Sequence, residues 1–216
     1  MSIPSDLPRK EREKLLRRQA ILDAASRIFA QKGFERATLD EIAEAAEFGK
    51  GTIYNYFSSK EELFFTLLEE GRQYFQELIQ QALNRAETGH KKIERYIDVC
   101  FEFFRTHENH FKIFSIEVHQ PMNHFYGDIQ QRLQTNIEES IQFLADILRQ
   151  AMQSGEIVES DAKRLARALL GLIYSQICEV ITCTQENFDD SAKMVKHIFL
   201  HGVLRRDASP PPARCS

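Results

Sequence analysis

Apolar residues recur at helical spacing along most of the chain, and the two-residue alternation of a β-strand does not persist anywhere. The first such pattern, over 10–31, predicts a helix. It consists of Ile21, Leu22, Ala25, Ile28 and Phe29. Gly33 is placed to end this helix as a left-handed cap, with Phe34 folding back onto the last turn. The sequence therefore predicts an all-α protein.

Residues 38–57 predict two short helices joined by a tight turn. Thr38 and Glu41 have the spacing of a capping box, in which each side chain accepts a hydrogen bond from the other residue's backbone N–H. A short helix with small apolar residues follows and breaks near Glu47. A second helix begins at Lys50 and continues to Phe57, and its face carries small and polar residues together with tyrosines. This is a helix-turn-helix whose second helix suits a DNA major groove.

The remaining periodicity predicts one long helix and five further helices. The long helix, over 60–85 and capped by Ser58 or Ser59, leaves the DNA-binding head and enters a second domain. The five others are expected at 91–106, 109–119, 125–153, 160–183 and 191–204. The proline-rich tail, 206–216, is expected to be disordered.

Four elements of the sequence resemble the DNA-binding domain of the tetracycline-repressor (TetR) family. They are Gly33-Phe34, Thr38, the segment GTIYNYF, and the run from Ser59 to Leu63. The match covers 15–68. It implies an all-helical homodimer with an N-terminal three-helix helix-turn-helix domain (15–68) and a larger helical domain (69–205) for effector binding and dimerisation. It further implies a repressor that releases a palindromic operator when a small molecule binds the larger domain.

The resemblance also implies which residues contact double-stranded DNA. Phosphate contacts are expected from Thr38, Thr52, Tyr56 and Lys60, and base-facing positions are Lys50, Gly51, Tyr54 and Asn55. Lys50 has donors for guanine, and Asn55 matches adenine. Packing is the alternative role for either tyrosine.

Two positions depart from the commonest family pattern. Gly49 replaces a frequent serine at the cap of the second motif helix, which leaves only a backbone N–H there for a DNA contact. Glu47 replaces a glycine in the turn, so a positive φ is expected there at a cost of roughly 1 kcal/mol.

The charge is unevenly distributed along a chain whose net charge is −4. Residues 1–60 carry 11 Lys and Arg against 9 Asp and Glu, whereas the rest carry 17 against 23. The extension at 1–18, densest in charge at 9–18, is either an arm along the duplex or a solvated first part of the helix.

No secretory signal is recognisable, and the longest apolar run, near 168–174, is too short for a membrane span. We therefore expect a cytoplasmic protein without a membrane partner.

The last two helices are expected to form a dimer surface, because their apolar residues cover more than one face. The segments are 160–183 and 191–204, and a thicker monomer core is the alternative.

The effector is unknown. An apolar pocket is expected from Phe104, Phe114, His119, Phe125 and Tyr174.

Neither a metal nor a cofactor is expected. The four cysteines show no paired motif and are interpreted as small apolar residues or, for Cys178 and Cys183, as redox sensors. No catalytic grouping is recognisable, which disfavours an enzyme. The alternative to a ligand-released repressor is a DNA-binding protein that has no small-molecule effector and instead answers to a protein partner or organises DNA.

Overall fold

The computed structural model describes residues 7–84, 86, 88–119, 128–182 and 187–203, excluding the side chains of 114–119, 128–130, 133 and 182. Within these ranges the chain forms helices only. They are α1 Arg9–Arg36, α2 Leu39–Ala45, α3 Lys50–Tyr54, α4 Lys60–Leu83, α5 Gly89–Thr106, α6 Glu108–His119, α7 Asp128–Gln153, α8 Ala162–Thr182 and α9 Phe188–Val203. The all-α prediction is confirmed.

The chain divides into two compact units. The first contains residues up to Gln76 together with Thr106–Leu133, and the second contains Glu77–Arg105 and the residues from Gln134 onward. Helix α6 therefore belongs to the same unit as the helix-turn-helix, where it packs against α1. Compact units and functional domains need not coincide, so the boundaries 15–68 and 69–205 remain predictions.

The core of the first unit is built from α1 to α4 and includes the fully buried Ile113 of α6. Its centre is aromatic. The ring of Phe64 lies 5.0 Å from Phe29 and 4.9 Å from Phe34. Gly33 interrupts α1 with φ 75° and ψ 168°, a backbone region that only glycine enters readily. The predicted positive φ at Gly33 and the return of Phe34 onto the end of α1 are confirmed, although three further helical residues follow the interruption.

The N-terminal part of α1 extends beyond this core. Residues 8–17 are all exposed, and the first fully buried side chain of the helix is Ile21. Arg18 is the first cation of α1 with long-range contacts. Its guanidinium lies over the Phe57 ring at 5.6 Å and pairs with Glu70 of α4 at 2.5 Å.

The second unit buries apolar faces of α5, α7, α8 and α9. Glu156, in the loop after α7, caps the distant N-terminus of α5 by accepting from the backbone N–H groups of Gly89 (2.8 Å) and His90 (3.0 Å). These bonds lower the pKa of Glu156 to about 2, the bond from the His90 N–H having the largest effect. Cys100 is buried in this core, and burial raises the pKa of its thiol, which keeps it unreactive.

Candidate nucleic-acid interface

The first motif helix, α2, begins with the predicted capping box. The Thr38 hydroxyl oxygen accepts from the Glu41 N–H (3.2 Å), and the Glu41 carboxylate accepts from the Thr38 N–H (3.1 Å). Because the hydroxyl oxygen is the acceptor in this bond, the hydroxyl proton of the exposed Thr38 is available to a phosphate oxygen. Lys32 holds the same carboxylate at 2.6 Å, which is the first of the causes that lower the pKa of Glu41.

The turn after α2 is closed by backbone bonds around Glu47. The Phe48 N–H donates to the Ala43 carbonyl (2.9 Å), and the Glu47 N–H donates to Glu44 (3.0 Å), which is the Schellman arrangement. Glu47 has φ 59°, as expected from the sequence. The strained residue therefore fixes the angle at which the second motif helix leaves the first.

Helix α3 exposes a face of small residues. Ile53 is fully buried and anchors the helix to the core, whereas Gly49 and Gly51 are exposed. A Cβ atom placed on either glycine meets nothing within 4 Å, so the protein's own packing does not require these glycines. Both positions therefore leave open space on this face of α3.

The other side chains of this segment have different exposures. Tyr54 is 50% exposed, whereas Tyr56 packs partly against the core of the first unit. Thr52 is half-buried in α3. Asn55 is exposed but forms the C-cap of α3, because the helix ends at Tyr54 rather than at 57. Tyr54 is thus the better placed of the two tyrosines for a DNA contact, and all these contacts remain predictions.

Lys50, the first residue of α3, is held by Asp40 of α2 at 2.8 Å. The hydrogen bond with Asp40 is the main cause that raises the pKa of Lys50, which keeps the ammonium charged. Both partners are well exposed, so the pair contributes little to stability. Asp40 was not recognised from the sequence. The bond to Asp40 uses one of the three N–H donors of the ammonium, so a contact with guanine would share the ammonium with this carboxylate.

Lys60, at the start of α4, has a role that the sequence did not indicate. Its ammonium donates to three backbone carbonyls at the end of α1, those of Phe34 (2.8 Å), Ala37 (3.1 Å) and Glu35 (3.3 Å). It also lies 4.3 Å from the centre of the Phe34 ring. All three N–H donors are engaged in the protein, so a phosphate contact at Lys60, still a prediction, would have to share or displace one of them.

The start of α4 decides between the two predicted caps. The Ser59 hydroxyl accepts from the Glu62 N–H at 3.1 Å, so Ser59 is the capping residue. The Glu62 carboxylate accepts from the Ser58 N–H in return. The Ser58 hydroxyl also donates to this carboxylate, and this bond, followed by the backbone one, lowers the pKa of Glu62. The end of the link that leads into α4 is thereby held by hydrogen bonds.

The predicted effector residues are only partly described. Phe104 is half-buried with its ring 5.0 Å from that of Phe103, and Tyr174 is half-buried on α8. The side chains of Phe114 and His119, and the whole of Phe125, lie outside the described residues. The pocket therefore remains a prediction. Within the described part of the chain, no group of three or more His, Cys, Asp or Glu side chains is arranged to hold a metal ion.

Comparison with known proteins agrees with this interface. The family model described as "Bacterial regulatory proteins, tetR family" matches residues 21–67. An uncharacterised HTH-type transcriptional regulator of Bacillus subtilis, YhgD, is 31% identical over 165 residues, which are 74% of this chain and 82% of that protein. The fatty acid metabolism regulator protein of the same organism is 28% identical over 162 residues, 75% of this chain and 80% of the relative.

A solved structure shows the same fold. The transcriptional regulator FadR from Bacillus subtilis, in complex with stearoyl-CoA, superposes with a TM-score of 0.76 at 24% identity, over 85% of this chain and 98% of that one. The chain belongs to the TetR family of bacterial regulatory proteins. Its family makes it a DNA-binding transcriptional regulator, not an enzyme. Among the described helices, none is long and apolar enough to cross a bilayer.

Proposed function

We propose that this regulator is a repressor that binds an inverted-repeat operator as a homodimer and reads each half-site with α3. The observation that carries the proposal is the face of α3, where two exposed glycines leave open space beside the exposed Tyr54 and Asn55. A glycine pair at the start of a helix brings the backbone close to the base edges. Thr38 then fixes the register by donating to a phosphate.

The dimer uses α8 and α9. In the isolated chain, Met194 is 41% and Ile198 50% exposed on α9. A Cβ atom on Gly171 of α8 or Gly202 of α9 would meet nothing within 4 Å. An exposed apolar face flanked by small residues supports close packing against the same helices of a second copy, as a four-helix bundle.

The effector is a long-chain acyl-CoA that binds within the larger domain and releases the operator. Both comparisons support this class. The relative named as a fatty acid metabolism regulator covers most of this chain, and the FadR structure with the same fold contains stearoyl-CoA. The aromatic residues predicted for the pocket, including Phe104 and Tyr174, suit an acyl chain.

The experiment is release of a fluorescent operator duplex, measured by anisotropy at fixed salt. Stearoyl-CoA is titrated into the protein–DNA complex, with free coenzyme A and a short-chain acyl-CoA as controls. We expect stearoyl-CoA alone to release the duplex at micromolar concentration. Release by free coenzyme A would show that the phosphates of the ligand merely compete with those of the DNA. An unchanged complex with every ligand would favour the alternative, a DNA-binding protein without a small-molecule effector.

A variant of Asn55 distinguishes base reading from phosphate binding. Asn55→Ala is expected to cost roughly 1–3 kcal/mol on the operator and to relax preference at one base pair, with little change on random DNA. Equal losses on operator and random DNA would contradict a role in base reading.

A further inference from the structure

The N-terminal part of α1 carries a group of exposed cations. Residues 9–17 hold five basic and two acidic side chains, and all of them are exposed. Arg9 pairs with Glu13 at 2.8 Å. Within the part of the chain that the structure describes, Lys10, Lys14 and Arg17 form no hydrogen bond, ion pair or ring contact.

These three cations lie on one side of the helix. Lys10, Lys14, Arg17 and Ile21 follow one another at the i, i+4, i+7 and i+11 positions, so they share the face that is buried further along at Ile21. Beyond the core, the side of α1 that packs on the helix-turn-helix therefore carries positively charged residues. Arg12 lies about 200° around the helix from Lys14 and does not share this side.

Arg18 connects the inner end of this face to residues close to the DNA-binding motif. Its guanidinium lies over the ring of Phe57, which follows the recognition helix by three residues, and it pairs with Glu70. With a rise of 1.5 Å per residue, Lys14 lies about 6 Å and Lys10 about 12 Å further along α1 from Arg18. A strand of duplex DNA presents one phosphate about every 3.4 Å of the duplex axis, so along that axis this length spans roughly three phosphates.

We propose that Lys10, Lys14 and Arg17 form a second DNA-binding site, which contacts the phosphates of the duplex that flanks each half-site. The inference rests on the proposed sequence-specific operator binding and extends it to DNA outside the bases that α3 reads. An exposed, unpaired cluster of cations on a helix held against the motif has the charge and the reach for this role. Because the contacts are to phosphates, they add affinity independent of flanking sequence.

The experiment compares operator duplexes with and without flanking base pairs. The triple variant Lys10→Gln, Lys14→Gln and Arg17→Gln should bind the short operator like the unchanged protein but lose the added affinity of the flanked one. Its salt slope on flanked DNA should fall by about 2.7 per protomer, from about 0.9 for each lost phosphate contact. Between 50 and 200 mM salt, a slope of that size corresponds to roughly 40-fold in affinity.

Two controls accompany the triple variant. Arg12→Gln removes a charge from the other side of the same helix and should leave the flank effect in place. The set Lys91→Gln, Arg95→Gln and Arg149→Gln removes three exposed charges from the second unit and tests for a net-charge effect. An equal loss in either control would contradict a localised site.

Three outcomes separate the possibilities. If the unchanged protein selects no operator, the proposed function fails. If it binds the operator and the triple variant keeps the flank effect, the second site is wrong while the proposed function stands. If the triple variant instead loses only binding to vesicles of anionic phospholipid, the basic helix, with its exposed Leu15 and Leu16, serves a membrane surface and the DNA site is overturned.

Discussion

Lys60 gives the sharpest test of how the DNA-binding unit is held together. In the variant Lys60→Met the side chain keeps its apolar length but loses the charge and all three N–H donors. The carbonyls of Phe34, Ala37 and Glu35 then lose their partner. Because these carbonyls end α1 and the lysine begins α4, the variant loosens the connection between the two helices that flank the motif.

The size of the effect follows from the three bonds. Those to Phe34 (2.8 Å) and Ala37 (3.1 Å) are partly buried, and a hydrogen bond to a charged group contributes about 1.5–3 kcal/mol. The bond to the exposed Glu35 carbonyl is replaced by water at little cost. Taking the lower value for each partly buried bond, we expect Lys60→Met to reduce the free energy of unfolding by about 3 kcal/mol.

The assay is urea unfolding followed by circular dichroism, with Lys50→Met as the matched control. Lys50 also loses an ammonium, but its pair with Asp40 is exposed at both ends, so little change in the free energy of unfolding is expected. Unchanged stability in Lys60→Met, together with a salt slope of DNA binding reduced by about one, would refute the reasoning. Lys60 would then act as a phosphate ligand rather than as a structural one.

Three further predictions concern local features. Gly51→Ala should stabilise the protein by up to about 1 kcal/mol, because alanine has the higher helix propensity. It should nevertheless weaken operator binding at least tenfold, because the new methyl group meets the bases. Unchanged tight binding in an anisotropy titration would contradict the close approach of α3 to the bases. Glu47→Gly should stabilise the fold by about 0.5–1 kcal/mol by relieving the positive φ, whereas Glu47→Ala should not; equal melting temperatures for the two would show that φ is not the cause. Glu156→Gln should lower the free energy of unfolding by about 2 kcal/mol at pH 7, measured by urea titration. The pKa of Glu156 in the folded protein is depressed to about 2 from 4.5, so its contribution to stability is present above pH 4.5 and lost as the pH falls towards 2. The variant should therefore lose less stability than the unchanged protein between these pH values. The same loss of stability in both proteins would contradict the capping role.

The features that the sequence predicted well are set by neighbouring residues. The capping box of Thr38 and Glu41 closes over three residues, and the positive φ at Gly33 and Glu47 follows from local chain reversal. Helix existence was predicted because the apolar period repeats over many turns. The end of α3 was placed too late, because the buried Phe57 continues the apolar pattern after the helix has ended at Tyr54.

The features that escaped prediction join residues far apart in the chain. Lys60 reaches carbonyls 23–26 residues earlier, and Glu156 caps a helix that begins 67 residues before it. Backbone carbonyls leave no signature in a sequence, so nothing distinguished Lys60 from a solvent-facing lysine. The packing of α6 with the DNA-binding helices was equally hidden, because the buried Ile113 resembles any other core residue.

The central claim is that this chain reads a specific inverted repeat. Selection of bound DNA from a random pool at near-physiological salt tests it most directly. The account predicts an inverted repeat, with binding that Gly51→Ala weakens on the selected sequence and leaves nearly unchanged on random DNA. Enrichment of no motif, with binding that disappears as salt rises, would contradict the account, because only phosphate attraction would then remain.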